Sequence, residues 1–264
     1  MAPTPYREAA RIHTSVLAAA EKRCLLWMAE RLPSFVNSDH LTTLAGFATL
    51  GAGLCYWAGP EHPWAMYTAI AMLVLNWFGD SLDGTLARVR HHERPRYGFY
   101  VDHVLDAVGM LMLLGGFALG GFMSPLVAAA FLIAYYLLMV EIALATHAVG
   151  TFRISYWKFG PTELRIVLVI GTLQLVRSPF VTIAGQQLLL FDVGGAVATV
   201  ALIATFAASA LRNGRHLYKL EPLPQRVTRS EQCATDVESA DDPRGGRRPP
   251  VFFEDPSHSE AGRC

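Results

Sequence analysis

Between about residues 40 and 212 the apolar positions neither alternate nor fall into narrow stripes; they form long runs broken by short polar segments. Several runs approach the ~20 residues that a helix needs to cross a hydrocarbon core. The pattern predicts six spanning helices: His40–Trp57, Pro63–Arg90, Gly98–Gly121, Pro125–His147, Pro161–Leu175 and Leu188–Leu211. Asp39 stands just before the first and is placed to cap it. Residues 6–31 read differently, with Arg11, Glu21, Lys22, Arg23, Glu30 and Arg31 interleaved with Val16, Leu17, Leu25, Leu26 and Trp27. Such a helix lies in the membrane interface or packs on the cytoplasmic side of the bundle. From Glu221 onward, proline, charge and small residues leave too little apolar surface to offset the entropy of ordering. The expected fold is therefore an all-α integral membrane protein. An N-terminal interfacial amphipathic helix occupies 1–38, a six-transmembrane-helix bundle 39–215, and a disordered cytoplasmic tail 216–264.

Composition agrees: 52% of the 264 residues are hydrophobic, and the charges gather at the two ends and in two internal segments. A soluble domain of this length would interrupt its apolar stripes with charge at every turn. The net charge of zero says little, but the local placement of Lys and Arg sets orientation. Arg90, Arg94 and Arg96 lie in one loop, Arg153 and Lys158 in another, and Arg212, Arg215 and Lys219 after the sixth span, whereas the opposite loops at 59–62 and 120–125 carry none. Both termini are thus expected on the cytoplasmic side of a multi-pass protein, in the cytoplasmic membrane of a bacterium. Cys24, Cys55, Cys233 and Cys264 are scattered, so neither a disulfide framework nor a zinc site is implied. The start of the chain lacks a signal-peptide pattern, and insertion is expected to be driven by the helices themselves.

Against this background the stretch GDSLDGTLARVRHHERPRYGFYVDHVLD (79–106) carries four aspartates. Asp80, Asp83, Gly84 and Ala87 share one helical face, as do Gly98, Asp102 and Asp106. A short connection at 91–97 makes the two helices antiparallel, so at 1.5 Å per residue Asp83 and Asp102 sit at depths of roughly 16 and 12 Å. Carboxylates at membrane depth cost several kcal/mol each unless partnered, and like charges add to that. Protonation or divalent cations relieve the cost. Mg²⁺ and Mn²⁺ favour carboxylate oxygens, and four aspartates can hold two metal ions. Ion pairing with Arg88, Arg94 and Arg96 would balance charge but does not explain the missing bulk at Gly84 and Ala87.

The spacing Asp80-x2-Asp83-Gly84-x2-Ala87-Arg88, nine residues, Gly98-x3-Asp102-x3-Asp106 resembles the signature of the CDP-alcohol phosphotransferase family at all eight fixed positions. The resemblance extends over roughly residues 39–215 and implies transfer of a substituted phosphate from a CDP-alcohol donor to an acceptor alcohol, with release of CMP, in phospholipid biosynthesis. It implies Asp80, Asp83, Asp102 and Asp106 as ligands of two Mg²⁺ or Mn²⁺ ions and Asp106 as general base. Gly84, Ala87 and Arg88 would line the CMP site. Members often carry a Pro-Asn-x-x-Thr segment at the first span; here it reads Ser38-Asp39-His40-Leu41-Thr42, which makes Thr42 and Asp39 candidate nucleotide contacts. The DH pair Asp102-His103 resembles that of choline and ethanolamine phosphotransferases, where the histidine is proposed to assist catalysis.

Arg153, Lys158, Glu163 and Arg165 fall on the same cytoplasmic side as the aspartates. They are candidates for binding a lipid phosphate or a phosphorylated acceptor; the plainer reading is snorkelling for Arg165 and an N-terminal helix charge for Glu163. Glu141, deep in the fourth span, is expected to face the bundle interior. Gly116-x3-Gly120 suits close helix approach, and related enzymes are commonly homodimers. The rival reading is a divalent-cation or proton-coupled transporter, but such proteins place their acids in repeated halves, and no repeat is visible. Membrane lipids are expected partners and nucleic acid is not.

Overall fold

The computed structural model describes residues 18–149 and 161–221. Seven helices and one hairpin follow in order: α1 (Ala18–Arg31), α2 (Ser38–Ala58), α3 (Trp64–Val89), α4 (Pro95–Leu119), α5 (Pro125–Val149), α6 (Pro161–Arg177), β1 (Phe180–Ile183), β2 (Gln186–Leu189) and α7 (Leu190–Leu220). The chain divides into two units, Met1–Lys219 and Leu220–Cys264, and the helices lie in the first apart from the last residue of α7. The disordered tail expected over 216–264 falls mostly outside the described residues, and α7 carries helix through Leu220 into the range assigned to it.

Four helices are long and apolar enough to span a membrane: Ser38–Ala58, Pro95–Leu119, Pro125–Ala148 and Leu190–Leu220. The fold is therefore all-helical apart from the hairpin, with the character of a multi-pass membrane protein. The other two expected spans, α3 and α6, are not among these four. Asn76, Asp80, Asp83 and Arg88 dilute the apolar surface of α3. α6 is described over 17 residues, about 26 Å of helix, and residues 150–160 before it lie outside the described residues. The 31 residues of α7 reach about 46 Å, so a span ending at Leu211 understates it.

Local sequence sets the helix ends. Proline opens α4, α5 and α6, where a missing N–H is harmless. At the end of α3, His91 takes a left-handed φ of 55°, His92 N–H donates to the Ala87 carbonyl (2.9 Å) and His91 N–H to that of Arg88 (3.2 Å). This stop motif usually uses glycine. Asp39 does not cap α2: Asn37 holds that position in extended backbone, and its N–H donates to His40 Nδ1 (3.3 Å). The hairpin turns through Ala184 (φ 51°) and Gly185 (φ 81°), the paired positive values of a two-residue turn that follows strand twist.

The layout centres on α2, which packs along both α3 and α4, while α3 and α4 barely touch each other. Glycines permit this. A Cβ on Gly53 would lie 2.5 Å from the Met112 carbonyl oxygen of α4, and one on Gly79 would lie 2.6 Å from that of Leu41 in α2. A Cβ on Gly116 would collide with the Gly53 backbone and one on Gly120 with the Tyr56 carbonyl. The Gly116-x3-Gly120 motif is thus consumed inside the chain. Above this interface Tyr56, Leu73, Phe117 and Phe191 form the larger core cluster. The buried Tyr56 hydroxyl donates to Thr172 Oγ1 (2.5 Å), whose own proton goes to the Leu168 carbonyl (2.7 Å).

The first helix is bound to the bundle. Leu25 and Ala29 of α1 close on Leu41, Leu82 and Leu86. Glu21 accepts from Trp77 Nε1 (3.1 Å) and from the Thr162 hydroxyl (2.6 Å), joining α1 to α3 and α6. Arg90 ties down the following linker, donating to the carbonyls of Leu32 (3.0 Å), Pro33 (2.9 Å) and Val36. Residues 18–31 thus form a helix packed against α2 and α3. Glu141 is buried as expected, and its Oε1 accepts from Asn213 Nδ2 of α7 (2.7 Å).

Candidate active site

One face of α3 carries Asn76, Asp80, the adjacent pair Asp83 and Gly84, and Ala87, with steps of three or four residues between turns. Its neighbours fix these side chains. From α2, the Thr42 hydroxyl donates to Asp83 Oδ2 (2.6 Å), and the Ser38 hydroxyl donates to the Asp83 main-chain carbonyl (3.1 Å). The Gly84 N–H donates to Asp83 Oδ1 (2.5 Å). From α6, Arg165 Nη2 donates to Asp80 Oδ2 (2.6 Å) and Nε to Asn76 Oδ1 (2.8 Å). Both members of that ion pair are largely buried, with side-chain exposures of 17% for Arg165 and 30% for Asp80.

Across the gap left by α2, the first half of α4 presents Gly98, Asp102 and Asp106. Asp106 lies within electrostatic reach of Asp102, Asp80 and Asp83 and of the Arg165 guanidinium. Asp83 in turn feels Asp80 and Asp102. The four carboxylates thus lie on two helices within electrostatic reach of one another. By residue surface Asp106 is exposed. Tyr135 of α5 also stands within reach of Asp106, Asp102 and Asp80. His103 donates Nδ1–H to the Phe99 carbonyl (2.9 Å) one turn back and packs its ring 4.0 Å from that of Phe99.

Among the described residues no three carboxylate, imidazole or thiolate groups meet closely enough to form a metal cluster. Like charges hold the carboxylates apart, and Asp80 and Asp83 direct their Oδ2 atoms at Arg165 and Thr42. The residues still suit a divalent cation of the Mg²⁺ or Mn²⁺ kind. The donors are hard oxygens, and Asp80 Oδ1 accepts no hydrogen bond among the described residues. The signature glycines are also unlike those that seat α2. A Cβ on Gly98 would meet nothing within 4 Å, and one on Gly84 would meet only the Arg88 guanidinium, at 3.6 Å. Packing inside the chain does not require glycine at either place, so the bare strip is free for a ligand.

This arrangement coincides with a family-wide pattern: the sequence model of the CDP-alcohol phosphatidyltransferases matches residues 35–211. The chain belongs to that family. No curated protein matches it. Membership implies transfer of a phosphatidyl-type group from a CDP-alcohol in phospholipid synthesis, by a membrane-embedded transferase of a family that generally uses divalent metal ions. It favours that chemistry over the transporter reading.

Not every expected residue joins the cleft. Arg153 and Lys158 lie outside the described residues. Glu163 sits in the first turn of α6. Asp39 pairs with Arg94, both half-exposed, and so fastens the start of α2 to the connection between α3 and α4. Arg88 reaches Thr85 Oγ1 (3.2 Å) from an exposed position beside Gly84. Reading the sequence missed Asn76 and Tyr135. Asn76 was within reach, since it precedes Asp80 by one helical turn on the acidic face; nothing in the local sequence distinguishes Tyr135 from Tyr136.

Proposed function

We infer that the chain is a CDP-alcohol phosphotransferase whose acceptor hydroxyl attacks the phosphorus bearing the donor's alcohol. The new P–O bond forms as the bond to the bridging diphosphate oxygen breaks, and CMP departs. The observation that supports this reading is four carboxylates from two helices within electrostatic reach of one another, beside glycines that packing does not require.

Asp80, Asp83, Asp102 and Asp106 would hold the divalent cations, Mg²⁺ or Mn²⁺, which neutralise the diphosphate and polarise its phosphorus. Asp106, exposed by residue surface, accepts the proton of the attacking hydroxyl. Thr42 and Ser38 hold Asp83 from its side chain and its main chain, which keeps that carboxylate turned toward α2. Gly84 and Ala87 leave room for the nucleotide, with Arg88 at its edge, and Asp39 and Thr42 mark the α2 side of that space. Arg165, with Glu163, Arg153 and Lys158 on the same side, receives the phosphate of a lipid or acceptor. His103 steadies the first turns of α4. The helices α3 and α6 complete six spans with the cleft on the cytoplasmic side, and the enzyme works as a homodimer in a bacterial membrane.

The test is CMP release by the purified protein in detergent, with Mn²⁺ or Mg²⁺ and a panel of CDP-linked donors and alcohol acceptors. Metal-dependent CMP release that stops with EDTA is expected. Metal flux in liposomes without CMP release would overturn the assignment.

A further inference from the structure

The ion pair between Arg165 and Asp80 is half-made. A guanidinium normally grips a carboxylate with two parallel N–H···O bonds. Here one nitrogen, Nη2, meets one oxygen, Oδ2, at 2.6 Å, and Asp80 Oδ1 is left over. Arg165 Nη1 is buried and has no hydrogen-bond partner among the described residues. Something holds the fork open.

That restraint is Asn76. Its Oδ1 takes the Arg165 Nε–H at 2.8 Å, on the guanidinium edge next to the Nη2 contact with Asp80, and so holds the orientation of the group. The amide cannot turn over, because Nδ2 faces the Ala45 carbonyl (3.1 Å), a group that only accepts, and the Thr49 hydroxyl (2.8 Å). Thr49 directs its own proton to the same Ala45 carbonyl (3.1 Å) and so accepts from Asn76. The chain of contacts runs from the α2 backbone through Asn76 and Arg165 to Asp80, across three helices.

We propose that Asn76 is a positioning residue that restricts Arg165 to one oxygen of Asp80 and so reserves the other for a divalent cation. The proposal rests on Asp80 being a metal ligand, as in the function inferred above. Without Asn76 the guanidinium closes its fork on both oxygens and competes with the cation.

The test is Mn²⁺ binding to the purified full chain, read by titration calorimetry and by the paramagnetic resonance of free Mn²⁺. Asn76→Ala is expected to weaken binding about tenfold, the size of an outer-shell effect on a metal. Arg165→Lys cannot form a fork, so adding Asn76→Ala to it is expected to change the affinity little. Equal weakening in both backgrounds, or none in either, would overturn the proposal. So would loss of the folded state that persists in the double variant, since that makes Asn76 a packing residue only. If the wild-type chain binds no Mn²⁺, the metal reading fails first and this inference with it; if it binds and Asn76→Ala binds equally well, only this inference falls.

Discussion

Two sets of glycines divide the molecule. Those at the two interfaces of α2, Gly53 on α2 itself, Gly79 on α3 and Gly116 on α4, are jammed against backbone, with no space for even a methyl group. Those beside the aspartates, Gly84 and Gly98, open onto space. The first set exists to bring helix axes together. The second has no such purpose within the chain and marks a surface kept clear for something else. The same residue type thus serves packing in one place and is left unexplained by packing in the other, and only the surroundings tell them apart.

The sharpest way to separate the two regions is to change chemistry on the open side without changing shape. Asp106→Asn is expected to lower turnover about 10³-fold, the scale of a lost general base, with an unchanged melting curve. Stopped-assay kinetics on the folded variant check this, and full activity would remove the assignment. On the packed side Gly116→Ala forces a methyl into the Gly53 backbone, and overpacking of that kind costs about 1–3 kcal/mol. Thermal unfolding in detergent should show the loss whether or not substrate is present. Among the acids, Asp83→Ala should weaken Mn²⁺ binding most, by roughly ten- to a hundredfold, because Asp83 is held by α2 and faces charge on both α3 and α4. Calorimetry across the four single variants ranks them.

Gly84→Ala provides the cleanest contrast with Gly116→Ala. Replacing glycine inside a helix favours the helix by about 1 kcal/mol, so stability should hold or rise. The KM for the CDP-linked donor should nevertheless increase roughly tenfold, about 1.4 kcal/mol of binding. A donor KM equal to wild type would mean the bare strip is not a nucleotide surface. The smallest effect is expected at Asp39→Ala. An exposed ion pair such as Asp39–Arg94 contributes under about 1 kcal/mol, and only a change in donor KM would reveal a nucleotide contact there.

Long apolar runs announced the helices, because a spanning segment has little freedom in composition, and the aspartate spacing announced the two faces of the cleft. What could not be read was whatever depends on a third element. The antiparallel pairing of the aspartate helices was inferred from their short connection, but that connection cannot show that α2 wedges between their inner edges. The cap at Asn37 lay outside the expected boundary because Asn37, Ser38 and Asp39 are about equally good caps by residue type, so sequence alone does not choose among them. The hairpin at 180–189 turns through Ala184-Gly185, a weaker signal than Asn-Gly. Arg165 looked like a residue at a membrane boundary, and its engagement with Asn76 and Asp80 required α6 to fold against α3.

The wedge made by α2 also constrains how this protein could change its preferences. Bare backbone sets the spacing of the two acidic walls, with contacts already too close for an added methyl group, so the width of the slot behaves as a fixed gauge. A descendant that accepts a bulkier alcohol would have to gain room beside α5 and α6, which pack on α4 and α3, leaving the two acidic faces where they are.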